Sequence, residues 1–262
     1  MTDPTAKPEA TGPTPTGAAP PQDAVIFDMD GVVTDTAALH AQAWKRLFDA
    51  VLNDDRAQAG AGGTPRPFDT DADYRRYVDG RSREDGVAAF LAARGIDIPT
   101  GSPLDPPGHW TVHGLAARKN EIYRELLAEH GVRVFAGTVE LLHRLRAGGV
   151  PVALVTASRN ASALLAAADL DGVFDVVVDG ESAAEAGLPG KPDPATFLEA
   201  ARRLGVAPGR AAVVEDAVAG VQAARLGGFG LVVGVDRSGH REALEAAGAD
   251  LVVDAVSMAE VG

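Results

Sequence analysis

Residues 25–35 read Val25-Ile26-Phe27-Asp28-Met29-Asp30-Gly31-Val32-Val33-Thr34-Asp35, an apolar run that breaks into two carboxylates and a glycine. Consecutive rather than alternating apolar residues are the pattern of a strand buried on both faces, which occurs in parallel sheets covered by helices on each side. Ligands of open α/β sheets bind beyond the carboxyl ends of the strands, so Asp28 and Asp30 stand where chemistry is expected. An isolated Asp-x-Asp-Gly is more often a turn whose carboxylates cap backbone N–H groups. The pair therefore acquires meaning only from what the later strand ends carry.

Outward from this segment the same rhythm repeats. Ala24–Phe27, Val152–Thr156, Val176–Val178, Ala211–Val214 and Leu231–Val235 are strand candidates, with Leu251–Val253 a sixth. Helical patterns lie between them, among them Val139–Ala147, stopped by Gly148-Gly149, and Ala217–Leu226, stopped by Gly227-Gly228. The fold class predicted is α/β, a Rossmann-like parallel-sheet core. Between Asp35 and about Ala128 no comparable strand run occurs, and a mostly helical inserted domain is expected there, with Asn53–Phe68 and Thr100–His109 as Gly/Pro/Asp-rich loops. The organisation expected is a disordered Pro/Thr/Ala-rich tail over 1–22, a core over 23–35 and 129–262, and an insert over 36–128. Gly and Pro near Asp35–Thr36 and Gly131–Gly137 suggest hinges.

Three later strand ends carry the residue types that phosphoryl transfer requires. The second strand runs into Thr156-Ala157-Ser158, whose hydroxyls and amides suit phosphate oxygens, although Ser and Thr are also ordinary helix caps. Beyond the third lies Gly190-Lys191-Pro192-Asp193-Pro194, a single Lys stiffened by flanking prolines, where the bland alternative is a solvated surface charge. The fourth ends in Glu215-Asp216, where oxygen ligands would complete a Mg²⁺ site with Asp28, or where Asp216 caps the next helix. All of these groups falling at successive strand ends outweighs the sum of the separate structural explanations.

Composition narrows the field. With 262 residues, 46% of them apolar, the chain has material for a full core. It has no cysteine, which excludes a disulfide framework, a thiolate nucleophile and Cys-based metal sites, and a reducing cytoplasm is the expected compartment. No apolar run approaches the roughly 18 residues of a membrane span, and no signal-peptide pattern opens the chain. A net charge of −13 excludes nucleic acid as the main partner. A small anionic substrate would need a local cluster of metal, Lys and Arg.

These motifs resemble the haloacid dehalogenase superfamily, and within it the β-phosphoglucomutase subgroup. Asp28 to Thr36 looks like the first motif, Thr156 the second, Lys191 the third and Glu215-Asp216 the fourth. In the insert, His40, Trp44-Lys45, Gly80-Arg81-Ser82-Arg83-Glu84-Asp85 and Arg118-Lys119-Asn120 look like cap segments of the mutases. Ser158-Arg159-Asn160 is similar to their substrate-phosphate loop, with Arg where Lys is common. The resemblance implies Asp28 as nucleophile, Asp30 as general acid/base, Thr156 and Lys191 as groups on the transferring phosphoryl, and Asp28, Asp30, Glu215 and Asp216 around Mg²⁺. It implies substrate binding by His40, Gly80, Arg81, Arg83, Lys119, Ser158, Arg159 and Asn160.

The activity implied is interconversion of β-glucose 1-phosphate and glucose 6-phosphate through an aspartyl-phosphate, with glucose 1,6-bisphosphate as intermediate and activator. The partner expected is a sugar phosphate, and a monomer is the default. A sugar-phosphate phosphatase is the nearest alternative, since its core motifs are the same. A non-catalytic sugar-phosphate binding protein on the same fold is a third. A mutase needs a second basic cluster for the phosphate that does not react. Arg83 and Arg159 are candidates, though Arg83 next to Glu84, Asp85 and Asp79 also suits a helix-surface ion pair. One departure stands out: Asp79 precedes Gly80 where the mutases often have Lys.

Overall fold

The computed structural model describes residues 22–61, 66–237 and 239–261. The predicted tail lies outside them except for Gln22, which is buried against the core rather than part of a tail. Residues 62–65 of the first Gly-rich segment also lie outside.

Six parallel strands form one sheet: β1 (Ala24–Asp28), β2 (Val152–Val155), β3 (Val176–Val178), β4 (Ala211–Glu215), β5 (Leu231–Val235) and β6 (Leu251–Val253), in the spatial order β3-β2-β1-β4-β5-β6. Alternate residues of β1 feed opposite faces. Val25 and Phe27 join one apolar cluster with Leu142, Leu154 and Val233, while Ala24 and Ile26 join another with Phe197, Val213 and Val221. Two-sided burial is why the strands read as continuous apolar runs.

The chain leaves the sheet after β1 and builds α1 (Ala37–Leu52), α2 (Asp55–Ala61), α3 (Ala72–Tyr77), α4 (Arg83–Ala93) and α5 (Val112–His130). These pack their own apolar cluster, in which Phe48 lies 4.0 Å from Phe90 and 5.0 Å from Trp44 between ring centroids. The remaining helices flank the sheet: α6 (Ala136–Ala147), α7 (Ala161–Ala167), α8 (Gly180–Glu185), α9 (Ala195–Leu204), α10 (Val218–Leu226), α11 (Arg241–Ala247) and α12 (Met258–Val261). Several boundaries shift by one residue, and two differences are larger. Helix α6 begins at Ala136 rather than Val139, and Asn53–Phe68 is not all loop, because α2 forms within it. Asp54 starts that helix by accepting the Arg56 N–H at 2.9 Å, and Ala57 is fully buried.

The two connections between insert and sheet run side by side. Asp35 N donates to Arg133 O, Phe135 N donates to Val33 O, and Thr34 bridges Val134. Strand β1 lies between β2 and β4, with Asp28 opposite Val155 and Phe27 opposite Val214. The sheet's order reverses there, and a crevice opens at the strand ends.

Candidate active site

Asp28 ends β1 and Glu215 ends β4. Lys191 reaches between them from the loop before α9, its Nζ 2.5 Å from Asp28 Oδ1 and 2.7 Å from Glu215 Oε1. All three side chains are buried. Burial pushes the Asp28 carboxyl well above its ordinary value; Lys191 opposes the rise, and Glu215 and Asp30 add to it. Lys191 is held firmly charged, its burial outweighed by Asp28 and Glu215. A lone Lys in a sequence is usually surface charge, and this one is the opposite.

Beyond Asp28 the chain turns tightly, with Val33 and Thr34 N–H groups donating to Met29 O and Gly31 N donating to Thr34 O. Gly31 has φ +91°, and a Cβ there would meet Asp216 Oδ2 at 1.8 Å. The glycine thus lets the Asp216 carboxylate lie directly against the β1 loop. Asp216 is also raised well above the carboxylate range, first by burial and then by Glu215, Asp79 and Asp28.

Asp30 faces the insert. It accepts a short hydrogen bond from Thr36 Oγ1 and lies 3.3 Å from His40 Nε2, while His40 Nδ1 lies 2.7 Å from Lys119 Nζ. Burial alone would raise Asp30, but His40, Thr36 and Lys119 together hold it below its ordinary value. Lys119 sits within the apolar stripe of α5, so burial, reinforced by Arg83, pulls its ammonium down to about 7. His40 is lowered by burial and Lys119.

The cleft between insert and sheet is lined by Asp28, Asp30, His40, Gly80, Arg81, Arg83, Lys119, Thr156, Ser158, Asn160 and Asp216. Thr156 Oγ1 accepts from Ser158 N at 3.0 Å, which leaves the hydroxyl proton to donate into the cleft. Asn160 Nδ2 donates to Asn120 Oδ1 across the cleft at 2.9 Å. The enclosed space is about 60 Å³, room for only a few waters.

Three of the expected site residues have partners of their own. Arg159 does not line this cleft; it lines a neighbouring cavity and donates to Glu84 at 3.1 Å. It is therefore Arg159 rather than Arg83 that forms the ion pair with Glu84, and Arg83 remains in the cleft with its guanidinium lowered by burial. Both Glu215 oxygens are engaged, Oε1 by Lys191 and Oε2 by the Ala217 N–H at 2.6 Å. Asp30 Oδ1 is likewise committed to Thr36 and His40. Among the described residues no hydrogen bond engages Asp28 Oδ2 or the Asp216 carboxylate.

Sequence reasoning did not find Tyr74 and Tyr123, which also line the cleft. Tyr123 stacks on His40 with centroids 4.0 Å apart. Its position four residues after Lys119, on the same helical face, was an available signal. Tyr74 had none.

A sheet switch point with a buried Asp–Lys–Glu cluster, a second Asp two residues on and a helical insert covering it is the arrangement of a phosphotransfer enzyme of the haloacid dehalogenase type. A sequence profile for haloacid dehalogenase-like hydrolases matches residues 22–228, and the chain belongs to that family, in its β-phosphoglucomutase-like group. It is 48% identical to a β-phosphoglucomutase of Mycobacterium bovis over 88% of each chain, and 34% identical to the β-phosphoglucomutase of Bacillus subtilis over 88% of each. A crystal structure of β-phosphoglucomutase from Clostridium difficile superposes with a TM-score of 0.68 at 28% identity, covering 89% of this chain and 91% of that one. Among the described residues no helix is long and apolar enough to cross a membrane.

Proposed function

We propose that the protein is a β-phosphoglucomutase, interconverting β-glucose 1-phosphate and glucose 6-phosphate by way of a phosphorylated Asp28 and glucose 1,6-bisphosphate. The observation that carries this reading is the basic lining on the insert side of the cleft, Arg83 with Lys119, facing Lys191 beside Asp28 on the sheet side. Two separated cationic regions suit a substrate with one phosphate reacting and one held.

The carboxylate set suits Mg²⁺. Among the described residues no three His, Asp or Glu side chains form a ready metal cage, and Mg²⁺ is typically held by one or two carboxylates with water and phosphate oxygens. Asp28 Oδ2 and Asp216 would hold it, and when bound it neutralises charge on the phosphoryl oxygens. Asp30, ionised, takes the proton of the C6 hydroxyl of β-glucose 1-phosphate, which attacks the aspartyl-phosphate and gives glucose 1,6-bisphosphate and free Asp28. After the bisphosphate turns round, an Asp28 oxygen attacks its C1 phosphorus as the bond to the C1 oxygen breaks, and Asp30 gives the proton it took to that oxygen, which releases glucose 6-phosphate and restores the aspartyl-phosphate. Lys191 and the Thr156 hydroxyl stabilise the charge of the transferring group. Substrate entry requires the insert to swing away, because the closed cleft is too small for a hexose bisphosphate.

A sugar-phosphate phosphatase forms the same aspartyl-phosphate and passes it to water, and the turn of Arg159 toward Glu84 favours that reading. The test is phosphorus NMR of the protein with β-glucose 1-phosphate, Mg²⁺ and a trace of β-glucose 1,6-bisphosphate, with Asp28→Asn as control. Glucose 6-phosphate without matching free phosphate is expected; mainly inorganic phosphate would establish the phosphatase instead.

A further inference from the structure

Thr36 stands at the N-cap of α1, where a threonine hydroxyl ordinarily accepts an N–H from the first turn of the helix. Here the side chain makes no such bond. It is turned instead toward the end of β1, where it donates to Asp30 Oδ1 and lies 2.8 Å from Thr34 Oγ1. Thr34 and Thr36 are both wholly buried and neither lines the cleft, so neither hydroxyl touches a substrate held there.

Each hydroxyl has one proton, and that fixes the direction of the bonds. An ionised carboxylate only accepts, so the Thr36 proton is committed to Asp30. The bond between the two threonines is then made by the proton of Thr34. The other acceptor within its reach is Met29 O at 3.1 Å. That carbonyl already accepts the Val33 and Thr34 N–H groups at 2.9 and 2.8 Å, one for each lone pair. The order is therefore Thr34 to Thr36 to Asp30. At its end Asp30 Oδ1 is also 3.3 Å from His40 Nε2, whereas among the described residues no hydrogen bond engages Oδ2. Oδ2 is the oxygen left to exchange a proton in the cleft.

We propose that Thr34 is a positioning residue for proton transfer: its hydroxyl holds Thr36 on Asp30 and away from the N-terminus of α1, and so fixes which oxygen of Asp30 meets the reacting group. The inference deepens the reading of Asp30 as the acid/base and rests on it. It applies whether the aspartyl-phosphate passes to a sugar hydroxyl or to water, since Asp30 moves a proton in both. Thr34→Val keeps the side chain's shape and strands no buried donor, because Met29 O retains its two N–H partners and Thr36 loses only a bond it accepts. Thr36 is then free to turn and cap α1, which favours the folded state while it costs Asp30 its anchor.

The experiment measures kcat and KM of the parent protein, Thr34→Val, Thr34→Ser and Asp30→Asn with β-glucose 1-phosphate, Mg²⁺ and a trace of β-glucose 1,6-bisphosphate, counting glucose 6-phosphate and inorganic phosphate together as product. Melting temperatures are taken in parallel. Thr34→Val is expected to lower kcat on the order of 10-fold, a part of the roughly 10²–10⁴-fold that acid/base transfer contributes. Its KM should be unchanged and its melting temperature no lower than the parent's, and Thr34→Ser, which keeps the hydroxyl, should have the parent's kcat. An unchanged kcat in Thr34→Val overturns the proposal. So does an equal loss in Thr34→Ser, or a loss that comes with a lower melting temperature, since either gives Thr34 a structural role alone. Full turnover by Asp30→Asn, or none by the parent protein, overturns the acid/base reading itself and this inference with it.

Discussion

Lys191 Nζ stands 2.5 Å from Asp28 Oδ1, with the ammonium almost wholly enclosed. Burial raises the Asp28 carboxyl, and Lys191 is the largest force acting against that rise. Lys191→Met leaves Asp28 and Glu215 facing each other without a counter-charge. Breaking a buried pair from one side costs about 3–5 kcal/mol, to be read by urea denaturation at pH 8. Because the folded-state Asp28 is raised, the native state binds more protons than the unfolded one above the ordinary carboxylate range, and stability falls as pH rises there. The loss caused by the substitution is therefore expected to be smaller at pH 5 than at pH 8, and equal losses would contradict this account.

Lys119, pulled down to about 7, gives a second pH signature with the opposite sign. Between about pH 7 and the ordinary Lys value near 10.4 the unfolded chain holds a proton that the native side chain has lost, so stability rises with pH across that window. Below it, protonated Lys119 is a constant burden. Lys119→Met is expected to be more stable than the parent protein at pH 6, with the difference shrinking by pH 10, in denaturant titrations at each pH. Turnover of the variant should fall at the same time, since Lys119 contacts His40 beside Asp30, the proposed acid/base.

The sheet was legible because two-sided burial writes itself as uninterrupted apolar runs, and Asp28, Asp30, Thr156 and Asp216 were legible because each follows such a run. What sequence order does not encode is direction. Glu215 and Asp216 are adjacent, yet one turns beneath the sheet end to Lys191 and the other lies on Gly31. Arg83 and Arg159 look equivalent as phosphate ligands, yet Arg159 pairs with Glu84 in a neighbouring cavity. Helix α2 was hidden because its Gly and Asp content reads as loop, while its start depends on the Asp54 cap.

Arg83 gives the prediction that separates isomerase from hydrolase. It lines the cleft together with Lys119, and both come from the insert. A charge-assisted contact to phosphate is worth about 1.5–3 kcal/mol, so Arg83→Ala is expected to lower isomerisation of β-glucose 1-phosphate by roughly 10–150-fold. Release of inorganic phosphate should decline less, and the ratio of free phosphate to glucose 6-phosphate in the NMR assay should rise. An unchanged ratio would remove Arg83 from the second phosphate site.

Gly220 offers a test in which helix propensity and site geometry disagree. It lies in the first turn of α10 with an ordinary backbone conformation, and replacing a helical Gly by Ala normally stabilises by about 1 kcal/mol. Here a Cβ would fall 1.7 Å from Glu215 Oε1 and 2.0 Å from its Cδ, the carboxylate that holds Lys191. Glu215 is fully buried and its other oxygen is tied to Ala217 N, so it has no free direction in which to retreat. Gly220→Ala is therefore expected to lower the melting temperature rather than raise it, and to cut turnover by about 10²-fold or more as Lys191 is displaced from Asp28, a loss typical of removing a charge-stabilising group. A variant that melts higher and keeps its turnover would mean that Glu215 does not fix Lys191.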